Sequence, residues 1–145
     1  KAAAVADFRP VEVAEAKLKK GSGSEPAEIR LVQNPDILAG LVAARSGGDV
    51  PAGTVLVGFA AETGDATASV LEHGREKLAR KGCDLLVVNE VGRGTTFGED
   101  VNGGWILDAA GGETELDRGS KDLMAGRILD AVAARLDGRP ASDPA

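Results

Sequence analysis

Two continuous apolar runs, separated by the length of one helix, constrain this sequence more than any other feature. In Thr54 to Phe59 (TVLVGF) and Cys83 to Asn89 (CDLLVVN) the polar residues are Thr54, Asp84 and Asn89, at or next to the ends of the runs. Such runs mark strands that are buried on both faces rather than strands with one wet side. Ala66 to Lys81 lies between them and reads as a long helix. A strand, a helix and a second buried strand make a crossover unit, and such units build a parallel sheet covered by helices on both faces. In sheets of this kind ligands gather at the carboxyl ends of the strands. Three polar stretches fall at those ends: Asp7-Phe8-Arg9, Phe59 to Thr63 and Asn89-Glu90-Val91.

The remaining chain fits the same α/β class. Ala2 to Ala6 is expected to be a buried strand, ended by Asp7-Phe8-Arg9-Pro10. Ile29 to Val32 alternates like a short strand. Asn34 then reads as a helix N-cap with Pro35 at the first helical position, ahead of inward-facing Ile37, Leu38, Leu41 and Val42. Trp105 to Leu107 is a further strand leading to the Gly111-Gly112 turn. Lys121 to Leu136 is an amphipathic helix with Leu123, Met124, Ile128, Leu129, Val132 and Leu136 inward. The expected architecture is a mostly parallel sheet with helices on both faces, formed as one domain over 1–137 and followed by a disordered tail over 138–145.

At 145 residues one hydrophobic core suffices. The net charge of −6 repels nucleic acid and anionic lipid at long range, so any anion must meet a local basic pocket. Cys83 is the only cysteine, which excludes a disulfide framework and a cysteine metal cluster and suits a reducing compartment. Its place at the start of a buried run makes it a small hydrophobe. No stretch approaches a membrane span and the first residues lack a secretory apolar run, so the expectation is a cytoplasmic protein without membrane or nucleic-acid partners.

Motifs narrow the chemistry by degrees. No GxxxxGK[ST] is present. The loop Gly21 to Pro26 begins like a dinucleotide fingerprint but follows no good strand, and Gly92 to Gly98 serves equally as a connection between strands. His73 has no companion for a metal site. The basic run Lys17-Leu18-Lys19-Lys20 stands out in an acidic chain. Its spacing alone favours a solvated loop, whereas the neighbouring strand-end Asp7 favours phosphate handling. Asp7 and Asp36 can offer oxygen ligands to Mg²⁺ while lysines neutralise phosphate oxygens. Asp36 can equally serve the first turn of its helix. Lys77 and Lys81 are four apart and share a helix face, either as part of a salt-bridged surface or toward a ligand.

Taken in order, AAAVADFRP (2 to 10), KLKK (17 to 20), NPDIL (34 to 38), VGFAAET (57 to 63), REKLARKGCDLLVVN (75 to 89) and SKDLMAGRIL (120 to 129) resemble the phosphopantothenate–cysteine ligase family over nearly the whole chain to Leu136. The resemblance implies a Rossmann-like fold, a homodimer, and dependence on CTP and Mg²⁺. It implies joining of 4′-phosphopantothenate to cysteine through an acyl-cytidylate, often in one chain with a flavin-dependent decarboxylase. It assigns Lys17 to the triphosphate and to acyl-cytidylate formation, and Asp7 to the nucleotide and its cation, with Ala6 and Phe8 beside the base. Asn34, Pro35, Asp36 and Ile37 then lie over the phosphates, with Asp36 a second cation partner. Phe59 lies beside the nucleotide, and Lys77 and Lys81 reach it.

The sequence departs from the family at its front. A Gly-rich segment and an Asn/Ser-Ser-Gly motif that serve phosphopantothenate and the cysteine step are not found, and Lys1 stands where Met is usual. The N-terminal part of the family fold is therefore expected to be missing, leaving CTP binding without full turnover. Two alternatives stay open: a dinucleotide-binding module of an α/β oxidoreductase, and a non-catalytic interaction domain.

Overall fold

The computed structural model describes residues 1–16, 28–63, 68–91 and 101–138. Two compact units emerge, Ala3–Asp36 and the larger Lys1–Ala2 with Ile37–Ala145. The smaller unit holds β1 (Phe8–Pro10) and β2 (Leu31–Gln33), paired antiparallel with Phe8 opposite Gln33 and Pro10 opposite Leu31. Ala2 to Ala6 is not a strand and is exposed. A short run of small apolar residues specifies no pairing partner, and the ladder to 31–33 places the strand at Phe8 instead.

The larger unit contains α1 (Ile37–Gly47), β3 (Val57–Glu62), α2 (Val70–Lys81), β4 (Leu85–Glu90), β5 (Val101–Asp108), β6 (Glu113–Ser120) and α3 (Lys121–Leu136). Its sheet runs β3-β4-β5-β6. The α/β class and the crossover β3-α2-β4 are as expected, with β3 and β4 parallel from Val57 opposite Leu85 to Glu62 opposite Glu90. The sheet as a whole is mixed rather than mostly parallel, because β5 and β6 each pair antiparallel to the preceding strand. The connection Ala109 to Gly112 decides the last of these directions. Four residues close a hairpin, whereas a parallel return needs a dozen or more. Asp108 organises that turn by accepting from the Ala110 N–H at 2.8 Å, and its carbonyl accepts from Gly111 at 2.9 Å.

β4 explains its unbroken apolar sequence. Leu86 and Val88 pack with Leu38, Ala60 and Leu78 on the side of α1 and α2, while Leu85 and Val87 pack with Ile106, Leu116 and Ala131 on the side of α3. β6 escapes sequence reading because it is an edge strand with one wet face. In Glu113–Ser120 only Leu116 is buried among charged and small polar residues.

α2 is bounded by its caps. The Ser69 hydroxyl accepts from the Glu72 N–H while the Glu72 carboxylate accepts from the Ser69 N–H. The Ser69 N–H foremost, and then the Ser69 hydroxyl at 2.9 Å, donate to the Glu72 carboxylate and hold it below its ordinary range. Gly82 ends the helix at φ +68, a left-handed position suited to glycine. The helix thus starts at Val70 rather than Ala66, and residues 64–67 lie outside the described residues.

α1 starts at Ile37, so Pro35 is not in it. Asn34 ties the two strands of the smaller unit instead of capping. Its side chain accepts from Arg9 at 2.8 Å and donates to the Ala6 carbonyl at 2.7 Å, and its N–H donates to Asp7 O at 2.8 Å. In α3 the inward stripe is narrower than its apolar content suggests. Met124, Ile128 and Val132 face the core with Ala131 and Ala134, while Leu123, Leu129 and Leu136 are exposed. Residues 139–145 of the expected tail lie outside the described residues.

Candidate functional site

The smaller unit gathers Ala6, Asp7 and Asn34 around one knot. Two backbone carbonyls, of Ala6 and Asp7, converge on the Asn34 amide and N–H, which fixes the chain just before β1 against the chain just after β2. Phe8 follows on β1 with an exposed ring. Pro35 and Asp36 continue from Asn34, and Ile37 opens α1 with its side chain half exposed. Asp7 and Asp36 therefore belong to one unit, 3–36. Among the described residues no group of three or more His, Cys, Asp or Glu side chains forms a metal cage. Lys17, Lys19, Lys20 and the loop Gly21 to Pro26 lie outside the described residues, as does Gly92 to Gly98.

In the larger unit the carboxyl ends of β3 and β4 carry the polar groups. Strand alternation divides them between the two faces. Gly58, Ala60 and Glu62 share the face that packs on α2, whereas Val57, Phe59 and Ala61 share the other. Phe59 is 41% exposed on that second face. Ala61 is registered beside Asn89, which stands on the same face of β4. The Asn89 Oδ1 atom is buried and has no hydrogen-bond partner among the described residues. A buried acceptor without a donor is costly, about 1–3 kcal/mol, and marks a place where a donor from elsewhere is stabilising. The sequence shows a polar strand end at Asn89, but which atom lacks a partner depends on neighbours brought from β3 and β5.

Lys77 stands on the opposite side of the sheet from Phe59. It donates to the Glu62 carboxylate at the last residue of β3, and both side chains are partly buried. Lys81, one turn further along α2, is half buried and also engaged. The structure thus brings Lys77 to the carboxyl end of β3 but separates it from the Phe59 ring by the thickness of the sheet.

A cavity of about 390 Å³ lies at the other end of β4, with Leu78, Cys83 and Leu107 along it and the Arg75–Glu113 ion pair at its rim. Its polar groups are engaged. Arg75 grips Glu113 with two hydrogen bonds of 2.5 and 2.7 Å, which holds the Glu113 carboxyl below and the guanidinium above their usual ranges. The Cys83 thiol is buried and donates to Leu85 O at 3.3 Å, and burial pushes its pKa up.

Comparison with known proteins places this geometry. A family model of the DNA/pantothenate metabolism flavoprotein C-terminal domain matches residues 1–136. The chain is 61% identical over 135 residues to the coenzyme A biosynthesis bifunctional protein CoaBC of Mycolicibacterium smegmatis, covering 93% of this chain and 32% of that protein. Against CoaBC of Escherichia coli the identity is 35% over 136 residues, covering 93% and 31%. The crystal structure of the C-terminal domain of CoaBC aligns with a TM-score of 0.63 and 28% identity, over 94% of this chain and 53% of that one. The DNA/pantothenate metabolism flavoprotein from Streptococcus pneumoniae agrees in fold, with a TM-score of 0.57 at 17% identity over 81% of this chain. The chain spans about a third of the length of the CoaBC relatives it matches.

Proposed function

The chain belongs to the DNA/pantothenate metabolism flavoprotein C-terminal domain family, and from that premise we propose that it is the CTP-binding part of a ligase of coenzyme A biosynthesis. In this reading the carboxylate of 4′-phosphopantothenate attacks the α-phosphorus of CTP, expelling pyrophosphate. The amine of cysteine then attacks the acyl carbon of the acyl-cytidylate, losing a proton and expelling CMP. The carboxylate needs this activation because its own charge disfavours attack by an amine, and CMP is a far better leaving group than oxide.

The observation that carries the proposal is Asn89 on the same sheet face as Phe59, two positions beyond its register partner Val87, at the carboxyl end of the parallel pair. An exposed aromatic ring and a buried amide oxygen without a partner among the described residues, both on one face at this strand end, offer a stacking surface and an acceptor for a base that bears an amino group. The exocyclic amine of cytosine fits, whereas the corresponding oxygen of uracil does not. Lys17 takes the outer phosphates and acyl-cytidylate formation, with Lys77 and Lys81 as further cations. Asp7 and Asp36 hold Mg²⁺, which neutralises phosphate charge. Ala6, Phe8, Asn34, Pro35 and Ile37 shape the backbone around the nucleotide.

A homodimer is supported by the smaller unit, whose two-stranded sheet exposes Phe8 and Leu31 on one face. Isolated two-stranded pieces are marginal in water, and a second copy laid over those residues stabilises them. We place the enzyme in the cytoplasm, joined to a flavin-dependent decarboxylase in one bifunctional protein; among the described residues no helix is long and apolar enough to cross a membrane.

Asn89→Ala in the intact protein is expected to weaken CTP binding about tenfold, the loss of one hydrogen bond to a buried acceptor, while leaving UTP binding unchanged. Calorimetric titration with both nucleotides measures this. Equal losses for CTP and UTP would show that Asn89 does not read the base.

A further inference from the structure

We infer that Glu62 is an internal counter-anion that occupies Lys77 in the unliganded fold and is displaced by the outer phosphates of the nucleotide. The inference rests on the reading of Lys77 as a nucleotide-contacting lysine and adds a residue to it.

The geometry begins with the end of β3. Glu62 is the last residue of that strand and faces α2, and its carboxylate receives the Lys77 ammonium from the second half of that helix. Only 28% of the Lys77 side chain and 19% of the Glu62 side chain are accessible. A partly buried ammonium needs a nearby negative charge, or it is left poorly solvated and unpaired. Glu62 supplies that charge, and among the described residues it is the hydrogen-bond partner the ammonium has. The pair sits at the carboxyl ends of the parallel strands, where α/β sheets receive ligands.

A triphosphate arriving there competes for the same ammonium with more charge and more acceptor oxygens than a carboxylate has. Two consequences oppose each other. Glu62 holds a flexible side chain in one place, which favours binding. It also neutralises the cation and repels the ligand, which disfavours binding. A glutamine at this position keeps the shape and one acceptor oxygen, so most of the positioning survives while the charge is gone. The electrostatic consequence wins in that substitution. Glu62 therefore tempers affinity for the outer phosphates and keeps Lys77 compensated when the site is empty.

The test is calorimetric titration of the intact protein with CTP and CMP, both with Mg²⁺, in four forms: wild type, Glu62→Gln, Lys77→Met and the double variant. Glu62→Gln is expected to tighten CTP binding about three- to fivefold, the size of one partly exposed charge pair. CMP affinity should not change, and the gain should vanish in the Lys77→Met background, as a double-mutant cycle requires for a coupled pair. Thermal unfolding gives a second readout. Unliganded Glu62→Gln should melt lower than wild type, and CTP should raise its melting temperature by more.

Unchanged or weaker CTP binding in Glu62→Gln, with CMP still bound, would overturn the inference alone. So would an equal gain in the Lys77→Met background, because the effect would then bypass the lysine. Failure of the wild-type protein to bind CTP would overturn the nucleotide reading first and this inference with it.

Discussion

Gly104→Ala is expected to destabilise the domain by about 3 kcal/mol, the largest effect of an added methyl group among the described glycines. Gly104 lies in β5 between two paired neighbours, opposite Asn89 on one side and Leu116 on the other, next to an irregularity of register at Asn102. A Cβ built on Gly104 would sit 1.9 Å from the Val88 carbonyl oxygen. That oxygen belongs to the backbone of the central strand β4, so no side-chain rotation relieves the clash. Either β5 leaves β4 locally or the bulge rearranges, and both disturb the place where Asn89 stands. Urea unfolding of the intact protein checks the magnitude. A loss below about 1 kcal/mol would mean that the bulge yields easily.

The second large effect is at Asp84. Its carboxylate accepts from Arg45 at 2.5 Å and from the Leu56 N–H at 2.7 Å, while Arg45 also donates to Thr54 O at 2.7 Å. Three segments meet here: the end of α1, the chain leading into β3, and the start of β4. The side chains are 18% and 16% exposed, so the pair is more strongly coupled than a surface ion pair. Removing one partner leaves the other uncompensated together with a backbone N–H. Asp84→Ala should therefore cost about 2–3 kcal/mol, less than a fully buried pair because some water reaches it. Asp84→Asn keeps an acceptor for Leu56 and should cost about half as much. Equal losses in the two variants, measured by the same unfolding, would show that the charge contributes nothing.

The same cluster accounts for one feature the sequence reads imprecisely. TVLVGF is apolar from Thr54, yet β3 begins at Val57, because Thr54 to Leu56 is held by Arg45 and Asp84 rather than by a ladder. Apolar continuity here reports neither pairing nor burial on both faces: β3 is an edge strand, and the expected double burial fails at Phe59, which is exposed. For β4 the two coincide, so CDLLVVN is legible as a strand covered by helices on both faces. The extent of α2 depends on Ser69 and Gly82, residues whose roles are local and therefore readable. Asn34 is ambiguous for a physical reason: the same amide that caps helices also ties strands, and only the position of Ala6 and Arg9 decides between them. β6 is invisible because a wet edge strand shares its composition with a loop.

The site divides along similar lines. The carboxyl ends of β3 and β4, with Phe59 and the Asn89 stretch, are legible from topology alone as the place where sheets of this kind take ligands. The partnership of Lys77 with Glu62 is not, since the two are fifteen positions apart and belong to different elements. Helical spacing groups Lys77 with Lys81, which is correct for their face but silent about the carboxylate across from it. The unpartnered oxygen of Asn89 is legible only once the neighbouring strands are in place.

Nucleotide selectivity tests the central claim most directly. Titration calorimetry of the intact protein with CTP, ATP and NADPH, each with Mg²⁺, is expected to show CTP bound more tightly than the other two. Absence of CTP binding, or preference for NADPH, would contradict the ligase reading and return the chain to a dinucleotide-binding or interaction role.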